Sequence, residues 1–214
     1  MTMMTTTDKL DRDAFLVNQR HKAWMKSKYY VYDDAGNSLF YVERPVKPLR
    51  RANITVYHDD RATDAVLIIR QDHGYAALKR EYTVLDAATG AEIARLRRHN
   101  IKSWLRRHWE VLAPDGTVIA HAREDTALLA GLRRTAEFVL AFIPFGGLLG
   151  LAWRTNFRMS RIDEAGAEVE AGTFNRKLSI GDKYRLDLSA DPTRRLDRRI
   201  ALALGIMLDT GEAR

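Results

Sequence analysis

The sequence predicts a mainly β chain: an antiparallel closed barrel of about 12 strands around a central apolar C-terminal helix. Three observations predict it. A hairpin signature recurs, the spacing of its turns implies further hairpins between them, and the C-terminal segment is apolar on every face.

The signature is an alternating run of β-branched and aromatic residues, an acidic residue followed by Gly, and a second alternating run. It reads YYVYDDAGNSLFYV around Gly36, EYTVLDAATGAEIARL around Gly90 and HWEVLAPDGTVIAHA around Gly116. A looser copy, FRMSRIDEAGAEVEA, surrounds Gly166. Gly supplies the positive φ of such turns, and Asp or Asn bonds back to the turn backbone. The gaps Gly36–Gly90 and Gly116–Gly166 are each close to double the gap Gly90–Gly116. Two further turns are therefore expected, one at Asp59–Asp64 and one at Pro144–Gly147. Six hairpins give about 12 strands, and hairpins without intervening helices make a sandwich or barrel. Only the turns repeat, so a solenoid is not expected. The stretch Asp125–Phe142 has helix-like composition, and both a short helix and a strand crossover stay open there.

At the C-terminal end, Asp191-Pro192-Thr193 reads as a helix start, which predicts a helix over 193–209. Its second half, IALALGIML from Ile200 to Leu208, is apolar all round and must be enclosed. From Thr193 to Leu208 it would run about 24 Å, the length of a strand of six to eight residues. Barrels of about 11 strands hold one central helix, whereas about eight strands leave room for side chains only. Gly205 would let the wall approach closely. A helix under an open sheet and a membrane anchor are the alternatives. One domain over 14–210 follows, with residues 1–13, MTMMTTTDKLDRD, as a flexible polar tail.

The chain of 214 residues is 46% apolar and has no Cys, which excludes disulfides, thiolate metal sites and Cys nucleophiles. A reducing cytoplasm is the natural compartment. The N-terminal stretch has no apolar core of a secretory signal. The longest uncharged run, Phe138–Trp153, is shorter than the about 20 residues of a span and is broken by Pro144, Gly146, Gly147 and Gly150. The net charge of +7 attracts phosphate-bearing partners in general.

Motifs for catalysis are missing. The histidines are His21, His58, His73, His99, His108 and His121, and none has a recognised ligand spacing. They read as ordinary strand or surface residues, and neither a metal nor a cofactor is implied. There is no G-x-S-x-G elbow, and the cluster GGLLG is followed by LAW rather than the Lys and hydroxyl of a phosphate loop. No catalytic residue is expected.

The stretch RLRRHNIKSWLRRHW, Arg95–Trp109, carries the strongest binding signal. Arg97, Arg98, Lys102, Arg106 and Arg107 flank Trp104. Cations near an anionic membrane contribute about 1 kcal/mol each, and Trp suits the interface. The same residues would suit RNA phosphates, with Trp104 stacking on a base. The plainer reading is alternation along two strands, Arg outward and Trp inward. An apolar turn at Phe142, Pro144 and Phe145 is the candidate membrane contact beside it.

The segments FLVNQRHKAWMKSKYYVYDDAGNSLFYVERP, EYTVLDAATGAEIARL, WEVLAPDGTVIAHARED and DKYRLDLSADPTRRLDRRIALALGIMLD together resemble the tubby C-terminal-like superfamily, in its LURP-one-related and phospholipid-scramblase-like branch. The resemblance covers about Phe15 to Asp209 and is most specific in the last segment, with Asp197-Arg198-Arg199 at the helix entry. It implies a 12-stranded barrel around a central helix. It also implies binding of phosphoinositides or other anionic lipids. The acidic stretch before the helix keeps Asp182, Asp187 and Asp191 but not a dense set of Ca²⁺ ligands, and the palmitoylated Cys run is absent. The resulting expectation is a non-enzymatic module that docks on anionic phospholipid or phosphoinositide surfaces, cytoplasmic and peripheral at the membrane. The alternatives are a protein-interaction or small-ligand-carrying barrel, and nucleic-acid binding through Arg97–Trp109.

Overall fold

Five acidic turns along one rim set the register of the sheet. In a computed structural model, residues 5–22, 26–45, 53–72, 79–99, 107–124, 156–177 and 183–210 are described. A short helix α1 (Thr6–Leu10) precedes β1 (Ala14–Lys22), β2 (Lys26–Tyr32), β3 (Ser38–Pro45), β4 (Ile54–Tyr57), β5 (Ala65–Gln71) and β6 (Lys79–Asp86). Then follow β7 (Glu92–His99), β8 (His108–Leu112), β9 (Val118–Glu124), β10 (Asn156–Ile162), β11 (Glu168–Arg176), β12 (Lys183–Asp187) and the helix α2 (Arg198–Thr210). Each strand pairs antiparallel with its sequence neighbour, and β1 pairs with β12, from Ala14 against Asp187 to Asn18 against Lys183, to close the barrel.

The turn chemistry is as the sequence implies. Gly36, Gly90, Gly116 and Gly166 have φ of +85°, +71°, +91° and +79°. In each turn an Asp carboxylate accepts main-chain N–H groups: Asp33 from Asn37 at 2.8 Å, Asp86 from Ala88 and Thr89 at 3.0 Å, Asp115 from Thr117 at 2.8 Å, Asp163 from Ala165 at 2.9 Å. The turn expected at Asp59–Asp64 is present, closed by His58 N donating to Asp64 O at 3.0 Å. The turn expected at Pro144–Gly147 lies outside the described residues. The twelve described strands do not need it, because β1 and β12 supply the pair that it was expected to contribute.

A second feature repeats that the turns alone do not reveal. In all five turn-rim hairpins the register slips, one pair after the turn in four of them and three pairs after it between β10 and β11, which leaves one extra residue on the second strand: Leu39, Val66, Ile93, Ile119 and Ala171. A bulge places two successive side chains on one face and increases twist. Leu39 and Phe40 are accordingly both buried, as are Val66 and Leu67. The added twist is what lets strands of this length curl into a closed barrel. Gly172 follows the last bulge, where a Cβ would sit 2.1 Å from Asp187 O, so only Gly fits.

α2 runs along the inside. Every residue from Ile200 to Leu208 is buried, at no more than 6% exposure. Its 13 residues span about 20 Å. Gly205 faces Phe174 and Leu186, and a Cβ there would meet Phe174 Cε2 at 3.3 Å. The close approach expected of this glycine is therefore real. No described helix is long and apolar enough to cross a membrane.

Two expectations change. The helix begins at Arg198 rather than Thr193, and its cap is Asp197, whose carboxylate accepts from Arg199 N at 2.8 Å. Arg194 has φ +54°, a left-handed conformation that interrupts a helix there. Asp191 does not cap the helix: its buried carboxylate accepts from Arg195 N at 3.2 Å and Leu196 N at 2.9 Å and binds the Arg198 guanidinium at 3.2 Å. The stretch read as a polar tail also differs. Thr5 and Asp8 form a capping box, and Leu10 at the end of α1 is buried in the core. Thr6 and Lys9 also bond to His58, at 2.7 and 2.9 Å, and Arg12 pairs with Asp33 at 3.2 Å, so the segment is docked by polar contacts as well as by Leu10.

Candidate functional site

The turn rim gathers carboxylates, and Arg12, Arg61, Arg194, Arg195, Arg198 and Arg199 pair with acids there. The turn rim carries Asp33 and Asp34, Asp59, Asp60 and Asp64, Asp86, Asp115, Asp163 and Glu164. At the opposite rim, where the longer connections attach, the described residues at or beside the strand ends include Arg44, Arg98, Arg107, Arg176, Lys177 and Lys183. Among the described residues, the carboxylates of that rim are Glu43, Asp72, Glu81 and Glu124. Turn chemistry requires the acids. Nothing in strand pairing requires the bases.

At the turn rim a cleft of about 790 Å³ opens beside α1, lined by Thr6, His58, Asp64, Asp197 and Arg199 among others. Its cations are committed. Arg199 pairs with Asp86 at 3.0 Å and with Asp197 at 2.7 Å, and Arg198 with Asp191 at 3.2 Å and Asp13 at 3.0 Å. This confirms a structural part for Asp197-Arg198-Arg199: it caps the helix and seals the rim.

At the basic rim, Lys177 and Lys183 are both exposed and face each other, with Lys177 N donating to Lys183 O at 2.8 Å. Neither has an ion-pair partner among the described residues. Like charges directly opposite one another on a sheet are unfavourable.

The candidate residues of the basic-aromatic stretch divide. Arg97 points outward but is held between Glu81 at 2.5 Å and Glu110 at 3.6 Å. Arg98 points inward, 6.0 Å from the ring centre of buried Trp109. Arg107 donates its backbone N–H to buried Glu124 at 3.3 Å. Lys102, Trp104, Arg106, Phe142, Pro144 and Phe145 lie outside the described residues. The segments that hold them are anchored at adjacent strand ends of the basic rim: β7 and β8 for one, β9 and β10 for the other.

The structure also assembles a cluster that sequence reading left scattered. On the outer wall, His99 of β7, His108 of β8 and His121 of β9 form a ladder with ring centres 5.2 Å apart at each step. His99 Nε2 approaches Glu110 Oε2 to 2.7 Å, and His108 Nε2 lies 3.2 Å from His121 Nδ1. Glu168 of β11 reaches His121 at 3.6 Å and binds Arg123 through two contacts of 2.6 Å. Burial, then Arg123, His121 and His99, push His108 down to about 4. Burial and Arg123 lower His121 as well. Burial pushes Glu110 up, but His99, His108 and Arg97 together hold it below the usual carboxylate range. The one available signal was register: Arg97 opposite Glu110 puts His99 opposite His108.

No protein-family model matches the chain, and no curated protein matches its sequence.

Proposed function

We propose that the chain is a non-enzymatic module of the tubby-like kind that docks on anionic phospholipid or phosphoinositide surfaces through its basic rim. The observation that carries this is a difference between the rims: the arginines of the turn rim are paired with its carboxylates, whereas Lys177 and Lys183 at the other rim are exposed with no ion-pair partner among the described residues. Such a barrel orients itself in the field of an anionic surface and meets it rim first. The opposed pair Lys177 and Lys183 supports the same face, since an unfavourable pairing persists where a phosphate relieves it. The barrel closed on a C-terminal helix, with Asp197-Arg198-Arg199 at its entry, supports the resemblance.

Co-sedimentation with vesicles tests this. Binding requires phosphatidylserine or a phosphoinositide and weakens with salt. Lys177→Gln with Lys183→Gln removes about 2 kcal/mol, roughly thirtyfold in affinity, whereas Arg61→Gln on the turn rim leaves it unchanged. Equal binding to neutral phosphatidylcholine vesicles, or none at low salt, rejects the proposal. Binding to single-stranded RNA without vesicle binding selects the nucleic-acid reading instead.

A further inference from the structure

We infer that His99, His108 and Glu110 form a binding site for a divalent transition-metal ion of the zinc class on the outer wall of the barrel. This is independent of the basic rim. The donor atoms of the three side chains all lie within 4.8 Å of one another. Ligand atoms around a tetrahedral Zn²⁺ stand about 3.3 Å apart, so small side-chain rotations close the set. Two imidazoles and a carboxylate match the borderline character of Zn²⁺, not the all-oxygen preference of Ca²⁺ or Mg²⁺.

The site is held from behind as metal sites are. One hydrogen bond between His108 and His121, at 3.2 Å, selects which nitrogen of His108 keeps its lone pair. His121 in turn faces the Glu168 carboxylate at 3.6 Å. Register fixes the main chain on both sides, with Arg97 against Glu110 and Glu110 against His121.

The charges facing the site favour a dication. Arg97 from β7 is neutralised by Glu81 of β6 at 2.5 Å, and Arg123 from β9 by Glu168 of β11 at 2.6 Å. Glu110, 3.6 Å from Arg97 and 2.7 Å from His99, supplies the site's own carboxylate.

Titration of the full chain with zinc chloride at pH 7.5, followed by calorimetry, tests the site. One ion per chain is expected, with a rise in melting temperature. His99→Gln with His108→Gln weakens binding by about 10–100-fold and abolishes the thermal shift, while His58→Gln leaves both unchanged. If the double variant does not fold, Glu110→Gln alone serves, with the same loss expected. Co²⁺ in place of Zn²⁺ gives the visible absorption of a tetrahedral site in the parent chain only. Absence of binding at millimolar zinc, or equal affinity in the variants, overturns the inference.

Discussion

At the turn rim of this barrel nearly every charge has a partner built into the fold. Asp33, Asp86, Asp115 and Asp163 are occupied by the backbone of their own turns, and Asp191 and Arg198 bind each other under the entry of α2. At the opposite rim Lys177 and Lys183 stand exposed side by side, and the histidine ladder climbs the wall just below. The same strands supply both rims. The difference lies in the connections: tight turns recruit carboxylates to satisfy backbone N–H groups, and the residues at the other rim are released from that duty. The charges of one end are therefore spent on closure, whereas Lys177 and Lys183 at the other are exposed without an ion-pair partner among the described residues.

The contrast can be broken most severely at the closed end. Arg198→Ala leaves the Asp191 carboxylate, 0% exposed, with Arg161 at 3.4 Å as its remaining ion pair. A loss of about 3–5 kcal/mol in urea denaturation is expected. The double variant Asp191→Asn with Arg198→Met should recover much of it, since neither charge is then stranded. Next comes the helix seat. Gly205→Val drives a branched side chain into Phe174, which already lies 3.3 Å from a Cβ at this position; overpacking of about 1–3 kcal/mol is expected and should lower the melting temperature.

The histidine ladder sharpens the comparison through pH. His108 titrates near 4 in the folded chain against an ordinary 6.5. The unfolded chain therefore takes up the proton first, and stability falls as pH drops from 6.5 towards 4. About 1–2 kcal/mol is expected after allowance for solvent screening, and His108→Gln should flatten the profile. A pH-independent stability over that window would contradict the burial argument. The smallest effect belongs to an exposed pair: Asp34→Asn, which frees Arg185 from a carboxylate 56% exposed, should cost less than about 1 kcal/mol.

The turn-rim hairpins were legible because their turns are local: Asp and Gly at fixed spacing act within four residues. The strand count was reached by a partly different route, since β1 and β12 provide the closing pair. The histidine cluster was not legible, and one bulge explains why. Counting straight from Leu112 opposite Val118 would set His121 opposite inward-facing Trp109. The extra Ile119 moves it opposite Glu110 on the outer wall. A single residue of slip exchanges the two faces of a strand.

Composition and turn residues by themselves determined that this is an antiparallel β chain, that its apolar end must be enclosed, and where the hairpins on one rim turn. Those follow from local backbone chemistry and from the transfer of apolar groups out of water, which need no partner to be specified. The tertiary structure alone decided where the helix starts, which rim is basic, and which histidines meet. Each of these depends on strand register, and register is set by bulges and by barrel closure between residues far apart in the chain.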